Sequence, residues 1–246
     1  MAYLELNNIY KTYGQGDNET EVLSNINLKI EEGEFVAIVG FTGSGKTTLV
    51  NLINGLLEPT SGEVLFKGIP VSGTSHERGV IFQNYSLLPW LTVGQNILMA
   101  AKAQRNDVAK YYLQKVGLED AFNKKASELS QGMQQRVGIA RAFAIKPKVL
   151  LLDEPFGMLD SLTRGELQDI LIEIWNKEKI TAVMITHDVD EAIFLADRVV
   201  MMTSGPKAKI GDVLEIDFKR PRTRKSVLEH DDYYKYRKHL IDFLEH

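Results

Sequence analysis

The chain has 246 residues, 44% hydrophobic and 25% charged, a globular composition with enough apolar residues for a sizeable core. Lys plus Arg number 29 against 33 Asp plus Glu, and the resulting net charge of −4 gives no support to bulk capture of nucleic acid. Cysteine is absent, which excludes disulfides, thiolate chemistry and Cys-ligated zinc, and His76, His187, His230, His239 and His246 show no metal-ligand spacing.

Met1–Lys11 carries acidic and polar residues where an apolar signal core would sit, and no run of roughly 18 apolar residues occurs. Neither a secretory signal nor a spanning segment is therefore expected. Tyr3–Ile9, Ile26–Ile30 and Glu63–Phe66 alternate apolar and polar residues, as half-buried antiparallel strands do. Phe35–Val39 is continuously apolar and ends at Gly40. Val149–Leu152, Ala182–Ile185 and Val199–Met202 share that pattern, which predicts strands covered on both faces in a parallel sheet. A helical stretch, Thr48–Leu56, follows the first of them. Residues 93–144 read as a helical insertion stopped at Lys146-Pro147. In Glu166–Trp175, Leu167, Ile170, Leu171 and Ile174 recur at helical spacing. Asp188 with Glu191 predicts a capping box opening a helix through Ala196. Lys219–Lys225 holds five cations in seven residues, which fits a nucleic-acid or lipid-headgroup contact or a solvated linker; the lack of interleaved aromatics and the acidic chain favour the linker. Val227–Leu244 places Tyr233, Tyr236, Leu240, Phe243 and Leu244 at helical spacing, which predicts one amphipathic C-terminal helix. The alternation gives an α/β fold: a lobe from 1–92 and 145–225, an inserted helical lobe over 93–144, and a last helix over 226–246.

Gly40-Phe41-Thr42-Gly43-Ser44-Gly45-Lys46-Thr47 fits the phosphate-loop pattern G-x-x-x-x-G-K-[ST] between a buried strand and a helix, with Thr48 next in line. Glycines let backbone N–H groups converge on phosphates, and the helix N-terminus adds the positive end of its dipole. Lys46 supplies a charge to the β- and γ-phosphates and Thr47 a hydroxyl to Mg²⁺. Val149–Leu152 delivers Asp153 and Glu154 at a strand's carboxyl end, where open α/β sheets bind ligands. Asp153 is placed to hold Mg²⁺ through water, and Glu154 to orient or deprotonate the attacking water. These two motifs predict a nucleotide hydrolase.

Leu129-Ser130-Gln131-Gly132-Met133-Gln134-Gln135-Arg136 resembles the signature of ABC-type ATPases, usually read LSGGQ. Gln83 resembles the Q-loop residue, a contact to metal and sensor of the γ-phosphate. Gly157-Met158-Leu159-Asp160 resembles the dimer loop, His187 the switch histidine, and Tyr13 the aromatic that stacks on adenine. The resemblance spans essentially the whole chain. It implies a phosphate-loop ABC ATPase with a RecA-like α/β core, an antiparallel β subdomain and an inserted helical subdomain. It further implies a head-to-tail dimer with a second ATPase subunit, identical or related. ATP would lie between the phosphate loop of one subunit and Ser130, Gln131, Gly132 and Met133 of the other. Two positions depart from the pattern: Gln131 stands for the first signature glycine and Met133 for the usual Gln.

Arg78–Val93, with its Leu87-Leu88-Pro89-Trp90 run, and Met133-Gln134-Gln135-Arg136 resemble the ATPase subunits of nitrate, sulfonate, taurine and bicarbonate importers. The tail after Leu228 is nearest to nitrate-type members. The implied setting is the cytoplasmic face of a membrane, peripherally bound, with permease subunits docking near Gln83–Val93 and a solute-binding protein acting indirectly. Leu87 and Leu88 fit either that docking or internal packing. An exporter or release motor, and a soluble ATP-dependent switch, are the other readings of the same ATPase.

Overall fold

A computed structural model describes residues 2–102 and 105–245; His246 lies outside them. In chain order the elements begin with β1 (Leu4–Tyr13), β2 (Thr20–Ile30), β3 (Phe35–Gly40), α1 (Lys46–Asn54), β4 (Ser61–Phe66), β5 (Ile69–Pro70) and β6 (Arg78–Ile81). Then come α2 (Val93–Ala100), α3 (Asn106–Lys115), α4 (Gln131–Ala144), β7 (Val149–Asp153), α5 (Ser161–Glu178) and β8 (Thr181–Ile185). The last are α6 (Val189–Leu195), β9 (Arg198–Met202), β10 (Ile210–Glu215), α7 (Arg224–Leu228) and α8 (Tyr233–Glu245). Contacts divide the chain into two compact units: residues through Ser75 with those from Thr181 onward, and His76–Ile180.

The first unit holds an antiparallel sheet in the order β2-β1-β4-β5. Its strands alternate because one face is covered: Leu4, Leu6 and Ile9 are fully buried and Glu5 is not. The second sheet of this unit is built on β3, which runs parallel to β8 on one side and to β9 on the other. Every residue of β3 is buried, which is why its apolar run is unbroken. β10 closes that side as an antiparallel partner of β9. Its alternating burial makes it a half-exposed edge, a pattern too short and mixed to stand out in sequence.

In the second unit, β6 and β7 pair in parallel, Ile81 against Leu152. β6 escapes a hydrophobic scan because Arg78 and Gly79 make half of its four residues. A Cβ on Gly79 would press on the Pro147 ring at 3.1 Å. The inserted segment forms α2, α3 and α4. α5 starts at Ser161, ahead of its apolar stripe, because the Asp160 side chain accepts the backbone N–H groups of Leu162 and Thr163, both at 3.1 Å, as an N-cap. Among the described residues no helix is long and apolar enough to cross a membrane.

Three expectations are corrected. Asp188 does cap α6, accepting from Asp190 and Glu191 N–H groups, but Glu191 does not close a box. Its carboxylate instead accepts the Thr186 hydroxyl at 2.6 Å, a buried contact. The single tail helix is two: Thr223 and Ser226 form a capping box for α7, and the chain then turns before α8. The turn holds because the His230 ring captures the Asp232 N–H at 3.2 Å, diverting a donor from the helical ladder. The cationic run is not a solvated linker throughout. Arg222 is only 5% exposed and donates to the Ile193 and Ala196 carbonyls and to Asp197. Burial, then the neighbouring Arg220 charge, push its pKa down to about 10.

Candidate active site

In the first unit β3 ends at Gly40 and hands the chain to a loop whose glycines answer either to space or to backbone conformation. A Cβ on Gly40 would sit 2.9 Å from the Met202 carbonyl oxygen. Gly45 has φ +80, and a Cβ there would press on Leu23 and Val22 at 2.7 and 2.9 Å. Gly43 has φ +81 but open space around it, so only its backbone conformation asks for glycine. Gly45 is also the N-cap of α1, so Lys46, Thr47 and Thr48 form the first turn. Helix N-terminal N–H groups lack intrahelical partners, which makes this turn an anion cradle. The Lys46 ammonium is buried in the loop and donates to the Gly40 and Phe41 carbonyls at 2.8 Å. Ser44 is fully buried beneath it.

Tyr13, at the end of β1, is 40% exposed, and its hydroxyl lies 3.4 Å from that of Thr48. A partly open aromatic face thus stands beside the start of α1. His187 follows β8, whose Ile185 is in register with Ile38 of β3. The Thr186 N–H donates to the Ile38 carbonyl, so the exposed His187 stands at the same carboxyl edge as the phosphate loop. Sequence reading missed one neighbour. A Cβ on Gly205 would lie 2.6 Å from the Gly43 carbonyl oxygen, so the loop after β9 rests on the phosphate loop. The Ser204-Gly205-Pro206 turn signal after a buried strand was its only trace.

In the second unit the parallel pairing of β6 and β7 carries Gln83 and Glu154 to one edge. The Gln83 amide donates to the Glu154 carboxylate at 3.3 Å. Glu154 has φ +46, the left-handed region that few non-glycine residues occupy. Its carbonyl accepts the Gly157 N–H, closing a turn directly after Asp153. The Ser130 hydroxyl caps α4 by accepting the Met133 N–H at 3.4 Å, with Gln131 and Gly132 in the first turn. A Cβ on Gly132 would meet Thr163 of α5 at 2.7 Å, so the two helices touch where the signature begins. A cavity of about 500 Å³ is lined there by Ser130, Gln131, Gly132, Met133, Met158 and Asp160. Hydrogen bonds from the backbone and side chain of Thr163 hold the Asp160 carboxyl below the usual carboxylate range. Among the described residues no three His, Asp or Glu side chains cluster as a metal cage. Thr47 lies in the first unit and Asp153 and Gln83 in the second; each carries a side-chain oxygen, the ligand type that hard cations take.

Residues 23–157 match the protein family described as ABC transporter. The chain is 47% identical to the bicarbonate transport ATP-binding protein CmpD of a Synechocystis strain, over 99% of this chain and 89% of that protein. It is 47% identical to the nitrate import ATP-binding protein NrtD of Synechococcus elongatus, over 99% of this chain and 92% of that protein. Among solved structures, the dimeric bacterial ABC transporter cassette MJ0796 aligns with a TM-score of 0.77 and 33% identity, over 88% of this chain and all of that one. With its phosphate loop, its capped signature helix and these relatives, the chain belongs to the ABC transporter family.

Proposed function

We propose that this chain is the ATP-hydrolysing subunit that energises import of a small anion, of the nitrate, bicarbonate, sulfonate or taurine type, through a membrane permease. The observation that carries it is the glycine-lined loop from β3 to α1 with Lys46 folded into it, beside His187. The names of the relatives, which speak of nitrate and bicarbonate, support the solute class. Lys46 and the first turn of α1 bind the phosphates, and Tyr13 offers its face to the base. Thr47, Asp153 and Gln83 would hold Mg²⁺, which supplies charge neutralisation at the phosphates. Glu154 orients and deprotonates the attacking water, its carboxylate steered by Gln83. His187 and Gln83 sense the γ-phosphate.

Ser130, Gln131, Gly132 and Met133, with Asp160, face a second ATPase subunit in this reading, and the cavity they line would receive its nucleotide. The segment Gln83–Val93, with Trp90 exposed, faces the permease at the cytoplasmic surface of the membrane. A solute-binding protein acts on the permease rather than on this chain.

The test uses a tagged Glu154→Gln chain, which retains ATP but loses its base, a change that costs ~10²–10⁴-fold in hydrolysis. Recovery of a multi-span permease with this chain from membranes in ATP supports the reading. Near-normal hydrolysis by the variant, or partners that are only ribosomal or DNA-associated, overturns it.

A further inference from the structure

Helix α6 begins two residues after His187, and the tail grips it at both ends. It spans seven residues, Val189–Leu195, too few to hold a helix without tertiary support. At its start, Asp190 accepts the Tyr233 hydroxyl at 2.8 Å and the Arg237 guanidinium at 2.9 Å, both from α8. At its end, Arg222 donates to the Ile193 and Ala196 carbonyls and Arg220 to that of Leu195. The Arg224 guanidinium lies 4.6 Å over the Phe194 ring. Cations at a helix's carboxyl end are favoured by its dipole.

The backbone around His187 is tied into the same assembly. Asp188 N–H donates to the Thr186 hydroxyl, Thr186 donates to Glu191, and Asp188 caps α6. Where α6 goes, residues 186–191 go. The clamp also has a fixed foot. Asp197 receives Arg220 and Arg222 on one oxygen and, on the other, the N–H of Phe35, first residue of the strand that carries the phosphate loop.

We propose that residues 220–237 are a clamp that sets the position of His187 relative to the phosphate loop, with Tyr233 and Arg237 as positioning residues acting through Asp190. The proposal rests on reading His187 as the γ-phosphate sensor. A tail that merely straps the fold together makes a different demand: loosening α8 anywhere should have one effect. The His239–Asp212 contact, 2.7 Å between α8 and β10, supplies the comparison, because it touches β10 and not α6.

The experiment measures steady-state ATP hydrolysis in four full-length chains, wild type, Tyr233→Phe/Arg237→Met, His239→Gln and His187→Ala, and the imidazole NMR resonances of His187 in the first three. The clamp predicts that Tyr233→Phe/Arg237→Met lowers kcat about tenfold with KM for ATP within about twofold, and shifts the His187 resonances. His239→Gln is predicted to leave both unchanged. An equal loss of kcat in His239→Gln, or unmoved His187 resonances in the double variant, overturns the clamp. A His187→Ala chain that keeps wild-type kcat overturns the sensor reading and the clamp with it. A strongly impaired His187→Ala beside an unimpaired double variant overturns the clamp alone.

Discussion

The side-chain amide of Gln135, fully buried on α4, donates to the carbonyl of Pro155, the residue that follows Glu154. One turn before Gln135 on the same helix is Gln131 of the signature. A single hydrogen bond therefore joins the signature helix to the turn that holds the proposed base. Gln135→Leu removes the donor and leaves a buried carbonyl without it, at a cost of ~1–3 kcal/mol. Urea unfolding followed by tryptophan fluorescence should report that loss. ATP hydrolysis should fall in excess of any change in ATP affinity.

The two left-handed loop glycines make unequal demands. Gly43→Ala meets no neighbour and carries only the backbone penalty, about 1–2 kcal/mol. Gly45→Ala adds a collision with Val22 and Leu23, and Leu23 is fully buried and has nowhere to move. Gly45→Ala is expected to melt at a lower temperature than Gly43→Ala and to lose binding of a fluorescent ATP analogue. Equal melting and binding in the two would show that the collision has no effect.

Alkaline pH should unfold the chain earlier than its composition suggests. Burial, aided by Glu178, pushes the Tyr112 hydroxyl from 10.0 up to about 12. Burial and the hydrogen bond to Asp190 push Tyr233 equally high. For a group with a raised folded pKa the stabilisation is complete below pH 10 and is lost as pH climbs toward 12. Arg222 works in the opposite sense, since its lowered pKa favours the folded state over the same window. Two groups outweigh one, so the urea midpoint should fall from about pH 10 upward. Tyr112→Phe with Tyr233→Phe should abolish that fall or reverse it.

Trp90 is 68% exposed, and truncating such a residue typically changes stability by no more than ~0.5 kcal/mol. Trp90→Ala should therefore keep the melting temperature and the hydrolysis rate of the free subunit. Transport in vesicles reconstituted with the permease should drop at least about tenfold if this face docks. Unchanged transport would remove Trp90 from the docking surface.

Much of the fold was legible because its signals are local. The apolar run 35–39 with its glycine, and the helical spacing of Leu167, Ile170, Leu171 and Ile174, are choices each segment makes for itself. What escaped depends on partners distant in sequence. β6 is a strand because β7 lies beside it, not because Arg78-Gly79-Val80-Ile81 favours one. Arg220 and Arg222 read as solvated because they stand in a run of like charge; Asp197, which receives them, is 23 and 25 residues away. Glu191 was assigned to a capping box by spacing, but the nearby Thr186 hydroxyl competes for its carboxylate. In the candidate site, motif order singled out Gln83 and Glu154 separately. Their hydrogen bond follows only from the parallel register that aligns their strands.

The contact of Gly132 with Thr163 has a consequence for how this chain tolerates change. The first turns of α4 and α5 abut there, so the signature and the Asp160 cap form one block. A side chain at position 132 would have to displace the Thr163 methyl group. Gln131, one residue earlier, is exposed. A motif usually written with paired glycines thus divides into one position pressed against a neighbouring helix and one that faces solvent.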